Sequence, residues 1–145
     1  MATKRSKPRS PVLRRNASRR STYLFPKMKK SANFWKRLAQ QEPNNAEMTL
    51  FGVMCYMELP YRYTGNGKFI LMGLAPDFVH KTQRKIIELY GERWHEPKEE
   101  AERIETFARS DYLCLVIWQK ELLIRNRQNV YKRLRDFEAL PELGT

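Results

Sequence analysis

Three acidic residues stand within segments that are otherwise almost wholly apolar. Glu47 lies in the long apolar run between Asn45 and Pro60, Asp77 follows a proline, and Glu88 follows two isoleucines. Because an unpaired charge is costly to bury, carboxylates in such segments need a compensating cation. Oxygen ligands without a set of cysteines suit Mg²⁺ or Mn²⁺, so the three carboxylates are candidate metal ligands.

The chemistry that these residues could perform depends on whether they meet. A turn between Asp77 and Glu88 would let their strands lie side by side, so we expect both carboxylates at one end of a sheet. His95 follows, and it could act as a general base, a general acid or a hydrogen-bond donor. A divalent ion there would neutralise phosphate charge and lower the pKa of its water. Such a site, beside a segment that binds polyanions, suits phosphodiester hydrolysis.

Each of these residues also has a purely structural interpretation. Glu47 could be a partly exposed helix residue, and Asp77 could be a turn residue. Glu88 could form an ion pair with Arg84 or Arg93. The histidine could be structural as well, and the glutamates that follow it could simply compensate the dipole of a helix. The order and spacing of the whole set favour a functional site more than any single residue does.

Basic residues are concentrated near the N terminus. The 145 residues include 28 Lys and Arg against 16 Asp and Glu, which gives a net charge of +12. Thirteen of the basic residues fall within residues 1–37, before the first acidic residue, Glu42. The remainder of the chain is therefore close to neutral. We interpret residues 1–37 as a basic arm and linker that binds nucleic acid, with counterion release supplying the affinity.

Other interpretations of this arm are open on composition alone. An Arg-rich and Ser-rich segment without acidic residues is typical of a mitochondrial transit peptide, although Pro8 and Pro11 oppose the amphipathic helix of such a peptide. An acidic membrane surface is a second candidate partner, but the arm has no apolar face before Tyr23. The arm could also be a solvated tail of like charges.

The elements that must position the acidic residues are those of one α/β domain. A chain of this length fits a single domain, and it lacks the run of about 18 apolar residues that a membrane span requires. The order helix, two or three strands, helix, strand, helix predicts a mixed sheet flanked by helices. The predicted helices are a short one at Phe34, Trp35 and Leu38, then 46–59, 96–108 and a segment from 122 onward; the predicted strands are 61–64, 69–74, 76–79, 86–90 and 112–118.

The apolar pattern also predicts which faces are buried. Ala101, Ile104 and Ala108 form one stripe on the helix 96–108. The segment 112–118 is the most apolar strand, so we expect it to be central and buried. The last helix buries the residues that repeat at i, i+4 and i+7, which are Val130, Leu134 and Phe137.

The two cysteines, Cys55 and Cys114, both lie in apolar runs. We expect core thiols in a reducing compartment. Two scattered cysteines and two histidines lack the paired spacing of a zinc site, so no such site is expected.

The order of these residues resembles that of a known nuclease family. The matching stretches are Glu47 in a helix, Pro76-Asp77-Phe78-Val79, residues 87–91, Trp94-His95, and a helix with acidic residues and Arg before the strand 112–118. Together they resemble the very-short-patch-repair (Vsr-like) branch of the PD-(D/E)XK nuclease superfamily. The resemblance is closer to the Vsr-like homing endonucleases, which an EDxHD pattern describes. It implies a restriction-endonuclease-like core and cleavage of DNA.

Carried over to this chain, the resemblance implies a set of metal ligands. Asp77 would be the central ligand, and Glu47 would bind the metal directly or through water. Glu88 matches the acidic position of the wider (D/E)XK motif and would support the metal. The lysine of that motif is absent, since Tyr90 stands in its place. His95 would take over the role of that lysine.

His95 would be the active-site histidine, followed by a fourth acidic position. That position falls best on Glu100, with Glu99 and Glu102 as alternatives, although the family pattern has Asp there. The repair enzymes carry a Cys/His zinc site and a His-rich run that this chain lacks. The resemblance therefore favours the homing branch over mismatch repair.

The implied protein is a site-specific, Mg²⁺- or Mn²⁺-dependent DNA endonuclease, with an arm at 1–37 and a nuclease domain at 38–145. Its partner would be double-stranded DNA, with a homodimer on DNA left open. It would act in the cytoplasm of a bacterial host and be encoded by a phage or another mobile element, such as an intron. The alternatives are a catalytically degenerate nucleic-acid-binding protein and a mismatch-directed nickase. The expected DNA contacts of the arm are Lys4, Arg5, Lys7, Arg9, Arg14, Arg15, Arg19, Arg20, Lys29 and Lys30.

Overall fold

A computed structural model describes residues 39–144, together with Asn33 and Lys36. The rest of the predicted arm, and Phe34, Trp35 and Leu38 of the predicted first helix, lie outside the described residues. The described helices are α1 (Asn45–Tyr56), α2 (Pro97–Ala108) and α3 (Arg127–Glu138), and the strands are β1 (Tyr61–Tyr63), β2 (Phe78–His80), β3 (Lys85–Tyr90) and β4 (Leu113–Trp118). Two 3₁₀ turns, Gln119–Leu122 and Ile124–Asn126, join β4 to α3.

The four strands form one mixed sheet in the order β1-β2-β3-β4. The strands β1, β2 and β3 pair antiparallel, whereas β3 and β4 pair parallel. Parallel neighbours need a crossover connection, and α2 supplies it between β3 and β4. The predicted α/β class with a mixed sheet flanked by helices is confirmed.

Helices cover both faces of this sheet. Successive residues of a strand point to opposite faces. Phe78 and Ile87 pair with each other and pack in one core cluster, whereas Val79 and Ile86 pack with Phe107 of α2 in a second cluster. The first cluster contains Leu50, Val53 and Met54 of α1 and Val130 and Leu134 of α3. The fold therefore has three layers, with α1 and α3 on one side and α2 on the other.

The prediction that the segment 112–118 is the central strand is wrong. The strand β4 lies at the edge of the described sheet, and the most buried strands are the inner ones, β2 and β3. The apolar run of β4 has a different cause, because Ile117 packs in the cluster of α1 and α3 whereas Cys114 packs against the cluster of α2. An apolar run therefore indicates that both faces of a strand are covered by helices. An edge strand can be covered in this way as well as a central one.

Several predicted elements differ in the structure. The strand predicted at 76–79 is β2 at Phe78–His80, and the helix predicted from residue 122 begins at Arg127, after the two 3₁₀ turns. The helix predicted at 46–59 is α1, which ends at Tyr56, because Glu58 adopts a left-handed conformation with φ of 58°. The predicted strand 69–74 is wrong. Leu71 and Leu74 bond each other in a tight turn, in which Met72 and Gly73 have φ of 55° and 77°. A turn of this kind cannot extend into a ladder.

The buried face of α2 also differs from the prediction. Its fully buried residues are Thr106 and Phe107, whereas Ile104 of the predicted stripe is 37% exposed and Ala101 is exposed. The inward face of α2 includes Arg103. A pattern of apolar residues does not identify this position, because arginine is charged. On α3, the predicted burial of Val130, Leu134 and Phe137 is confirmed.

Cys114 is partly buried, but Cys55 is exposed on the outer face of α1, so the prediction of two core thiols is wrong for Cys55. The helix α1 is apolar on its outer face too, and the sequence therefore did not distinguish inside from outside. None of the helices in the described part of the chain is long and apolar enough to span a membrane.

Candidate active site

Asp77 and Glu88 lie side by side at one end of the β2–β3 pair. Phe78 pairs with Ile87, so Asp77, the residue before β2, stands opposite Glu88. The N–H of Asp77 donates to Oε2 of Glu88 at 2.8 Å, and the N–H of Leu89 donates to Oδ2 of Asp77 at 2.8 Å. Hydrogen bonds from backbone N–H groups therefore hold both carboxylates at this end of the two strands.

Glu88 is 1% exposed and pairs with a residue that the sequence interpretation missed. Its partner is Arg103 of α2, which donates through Nε to Oε1 of Glu88. Neither Arg84 nor Arg93 fills this place, and Arg84 instead lies 3.7 Å from Asp111 at the surface. The available signal was an arginine within an acidic helix, one turn before a large apolar residue.

Glu47 reaches the site from the first turn of α1. It forms a capping box with Asn44, in which each residue's N–H donates to the other's side chain at 2.9 Å. Glu47 is 8% exposed, so its interpretation as a partly exposed helix residue is wrong. The Tyr63 hydroxyl lies close by. It also packs against Gly65, where the Cβ of any other residue would lie only 2.6 Å from this hydroxyl. Burial, and then the Glu47 and Asp77 carboxylates, raise the pKa of Tyr63 above its ordinary value.

His95 lies on the aromatic side of the site. Its ring stacks on Tyr90 with centroids 3.8 Å apart, and Tyr90 in turn meets Trp118 edge to face. Its Nδ1 lies 3.7 Å from Oε1 of Glu99 and has no hydrogen-bond partner within the described residues. Burial lowers the pKa of His95 below its usual 6.5, and Glu99 opposes this shift. The shift favours the neutral form of the imidazole.

The candidates for the fourth acidic position have different surroundings. Glu100 accepts a hydrogen bond from Nε1 of Trp118 at 3.3 Å and does not line the cleft described below. Glu99 is half-buried beside His95 and accepts the N–H of Glu96. Glu102 is exposed. The structure thus brings Glu99, rather than Glu100, beside His95.

The carboxylates and the histidine line one open cleft with a volume of about 540 Å³. Trp94 stands at its wall with 65% of its surface exposed. Gln119, the first residue after β4, also lines the cleft, and the sequence interpretation did not name it. The remaining lining residues include Asn44, Asn45, Ala46, Glu47, Asp77, Glu88, Leu89, Tyr90, Gly91, His95 and Arg103.

Comparison with known proteins identifies a similar fold. Neither a protein-family model nor a curated protein matches the chain. Among solved structures, it is similar to the one named "Homing Endonuclease I-Bth0305I Catalytic Domain", with a TM-score of 0.52 and 16% sequence identity. This chain shares the fold of that catalytic domain. The match covers 65% of this chain and 93% of that chain.

Negative charge is crowded in the cleft. Burial, and then the neighbouring Glu88, raise the pKa of Asp77 well above its ordinary 3.8. Burial likewise raises the pKa of Glu47, although the backbone hydrogen bond from Asn44 opposes that shift. Carboxylates crowded in this way favour either protonation or a bound cation.

The donor set fits a small oxygen-ligated ion better than a closed metal cage. Within residues 39–144, Asn33 and Lys36, no group of three or more His, Cys, Asp or Glu side chains is arranged to hold a metal ion. Mg²⁺ commonly needs only one or two carboxylates, because waters and substrate phosphate complete its shell. Asp77 and Glu47 can provide that number.

Proposed function

We propose that this protein is a metal-dependent, site-specific DNA endonuclease of the homing type, related to the Vsr-like EDxHD branch of the PD-(D/E)XK superfamily. The observation that carries the proposal is the convergence of Glu47, Asp77, Glu88 and His95 in one cleft. The cleft lies in a fold shared with a homing endonuclease catalytic domain. The reaction would be hydrolysis of a phosphodiester bond in double-stranded DNA.

Asp77 and Glu47 would hold the divalent ion, Mg²⁺ or Mn²⁺. When bound, such an ion supplies charge neutralisation at the phosphate and a lowered pKa for a coordinated water. The backbone N–H of Leu89 fixes Asp77, and the capping box fixes Glu47, so neither carboxylate must reorganise during the reaction. The open cleft leaves one side accessible to a DNA backbone.

His95 would move the proton. Its lowered pKa keeps the imidazole neutral, so it can accept a proton at neutral pH. Nδ1 faces the Glu99 carboxylate at 3.7 Å, so Nε2 would be the nitrogen that accepts the proton. Glu99 would then stabilise the imidazolium, and the stacked Tyr90 ring would hold its plane.

The arm would supply affinity rather than chemistry. Its ten predicted contacts, from Lys4 to Lys30, would neutralise phosphates and give a steep salt dependence. A single active site cuts one strand at a time, so a double-strand break would require two chains or sequential nicks. Action in the cytoplasm of a bacterial host, on behalf of a mobile element, is part of the same proposal.

The test is cleavage of supercoiled plasmid that carries DNA from the protein's own genomic neighbourhood or from an unoccupied relative. We expect discrete products with Mg²⁺ or Mn²⁺, none with EDTA, and none from Asp77→Asn, while DNA binding persists. The matched control is Asp111→Asn, an exposed aspartate that pairs with Arg84 at the surface. Cleavage by Asp77→Asn at the wild-type rate would show that the proposed site is wrong.

A catalytically degenerate DNA-binding protein is the second candidate. Two observations favour it: Tyr90 replaces the motif lysine, and the described residues form no three-ligand metal group. A degenerate site should show no stabilisation by Mg²⁺ or Mn²⁺, whereas a functional site gains stability by mass action. Salt-sensitive DNA binding without metal-dependent stabilisation would therefore support this candidate.

A further inference from the structure

The inner wall of the cleft contains a buried ion pair. Arg103 donates through Nε to Oε1 of Glu88, and its guanidinium carbon lies 5.3 Å from the centre of the Phe107 ring. The side chain of Arg103 is 14% exposed, and that of Glu88 is buried. Both residues line the same cleft as Asp77 and Glu47. The cation is therefore a fixed part of the carboxylate cluster.

The three carboxylates do not have equivalent surroundings. Both oxygens of Glu88 are engaged, Oε1 by Arg103 and Oε2 by the N–H of Asp77. Asp77 accepts a backbone N–H through Oδ2, and Glu47 accepts one through Oε2. A metal ion that bound Glu88 would have to compete with a guanidinium that is already in place, and the two cations would repel each other.

The charges in the cleft match one divalent ion. Glu47, Asp77 and Glu88 contribute three negative charges when ionised, and Arg103 contributes one positive charge, which leaves a net charge of two negatives. Among the described residues that line the cleft, Arg103 is the one with a permanent positive charge. One Mg²⁺ or Mn²⁺ ion would neutralise the remainder.

We propose that Arg103 withdraws Glu88 from metal binding, so that the cleft binds a single divalent ion through Asp77 and Glu47. This inference rests on the proposed nuclease function and its metal dependence. Glu88 serves to hold Asp77 through the backbone N–H. Arg103 is a positioning residue that acts through Glu88, and it also keeps a second cation out of the cleft.

The experiment is calorimetric titration of the full chain with Mn²⁺ in the absence of DNA. The wild type should bind one ion per chain, and Asp77→Asn should bind none. Glu88→Gln removes the negative charge that offsets Arg103 beside the ion, so the affinity should fall by roughly ten- to a hundred-fold. The double variant Glu88→Gln with Arg103→Met removes both charges and should return to within about three-fold of the wild type.

The melting temperatures of the metal-free variants show whether a loss of Mn²⁺ binding is due to a loss of folding. Arg103→Met alone leaves Glu88 buried without its cation, so its melting temperature should fall, and the double variant should recover it. The matched control is the exposed pair of Glu105 on the same helix and Arg109, the residue that caps its end, at 3.3 Å. Glu105→Gln with Arg109→Met should change neither the melting temperature nor Mn²⁺ binding.

Two results would overturn the inference. A double variant that binds Mn²⁺ no more tightly than Glu88→Gln would show that Glu88 is itself a ligand, because restoring the charge balance did not restore binding. Two ions per wild-type chain would have the same consequence. In both cases the wild type still binds metal, so the proposed function stands. A wild-type chain that binds no Mn²⁺ would overturn the metal dependence of the proposed function as well.

Discussion

The strands β2 and β3 bury charged side chains at both of their ends, and the two ends balance these charges differently. At one end, the cleft cluster of Glu47, Asp77, Glu88 and Arg103 holds three carboxylates and one guanidinium. At the other end, the lysine cluster of Tyr61, His80, Lys85 and Glu138 holds one carboxylate and one ammonium. The same sheet thus contains an unbalanced and a balanced buried cluster.

Each polar group of the lysine cluster has a partner within the protein. The buried Nζ of Lys85 donates to the main-chain oxygen of Glu138 at 2.7 Å and lies 3.9 Å from its Oε1. The Tyr61 hydroxyl donates to the same Oε1 at 3.1 Å. Nδ1 of His80 accepts two backbone N–H groups, and its Nε2 lies 3.2 Å from Oε2 of Glu138. The cluster fastens the end of α3 to the sheet.

The comparison separates structural from functional burial of charge. A buried charge whose partners are complete is compatible with the fold, and removing one partner exposes the cost of burying the other. A cluster with an excess of one sign costs stability in the free protein and is useful only when a ligand of the opposite sign binds. Substitutions at the two ends should therefore have opposite consequences.

The largest expected effect is the loss of cleavage in Asp77→Asn. The asparagine oxygen can still accept the N–H of Leu89, but one of two proposed ligands loses its charge. Loss of several kcal/mol of transition-state stabilisation corresponds to a decrease of about a thousand-fold in plasmid cleavage rate. The melting temperature of the metal-free chain should stay the same or rise, because charge repulsion falls. A variant that is both inactive and strongly destabilised would break the comparison.

Lys85→Met should have the opposite pattern. It leaves Glu138 without its ammonium partner, so denaturant unfolding should show a loss of about 3 kcal/mol. Cleavage per folded molecule should be unchanged, because Lys85 lies at the far end of the strands. The matched control is Lys132→Met, whose exposed pair with Asp136 should be worth less than about 0.5 kcal/mol. Equal effects of the two lysine variants would show that the lysine cluster does not stabilise the fold.

The positions of Asp77 and Glu88 could be predicted because they depend on local rules. Apolar runs on either side marked two adjacent strands, and a connection of this length favours antiparallel pairing, so the carboxylates had to approach at one end. The resemblance to a nuclease family then gave the order of the site. The α/β class followed from the alternation of helix and strand patterns in the same way.

Arg103, the lysine cluster and the place of β4 could not be predicted because they depend on tertiary packing. An arginine in an acidic helix suggests a solvated face, and nothing local shows that it turns inward to Glu88. Lys85 reads as the polar start of a strand until α3 brings Glu138 to it across 53 residues. Ile104 and Ala101 formed a stripe of the correct period that the fold leaves outside.

Metal ions should stabilise the chain only through the cleft cluster. At a concentration one hundred times the dissociation constant, Mg²⁺ should add about 2.7 kcal/mol to the free energy of unfolding. Thermal unfolding with Mg²⁺ against EDTA measures this gain. Lys85→Met should be less stable without Mg²⁺ but should gain as much stability from the ion as the wild type. Asp77→Asn should gain none. A gain that persists in Asp77→Asn would place the ion elsewhere on the protein.

The smallest effect is on the pH dependence of the metal-free chain. Burial and Glu88 raise the folded-state pKa of Asp77 above its ordinary 3.8, so the folded state binds this proton more tightly than the unfolded state. The contribution of Asp77 to stability is therefore most favourable below pH 3.8 and declines as the pH rises towards the raised pKa.

Asp77→Asn removes this titration, so its melting temperature relative to the wild type should increase as the pH rises from 3.8. Asp111→Asn, an exposed control, should follow the wild type throughout. Parallel curves for Asp77→Asn and the wild type would mean that the cleft carboxylates do not strain the free protein. The cleft cluster and the lysine cluster would then differ only in ligand binding and not in their effect on the stability of the free protein. A divergence that Mg²⁺ abolishes would show that the same excess of negative charge both weakens the free protein and binds the ion.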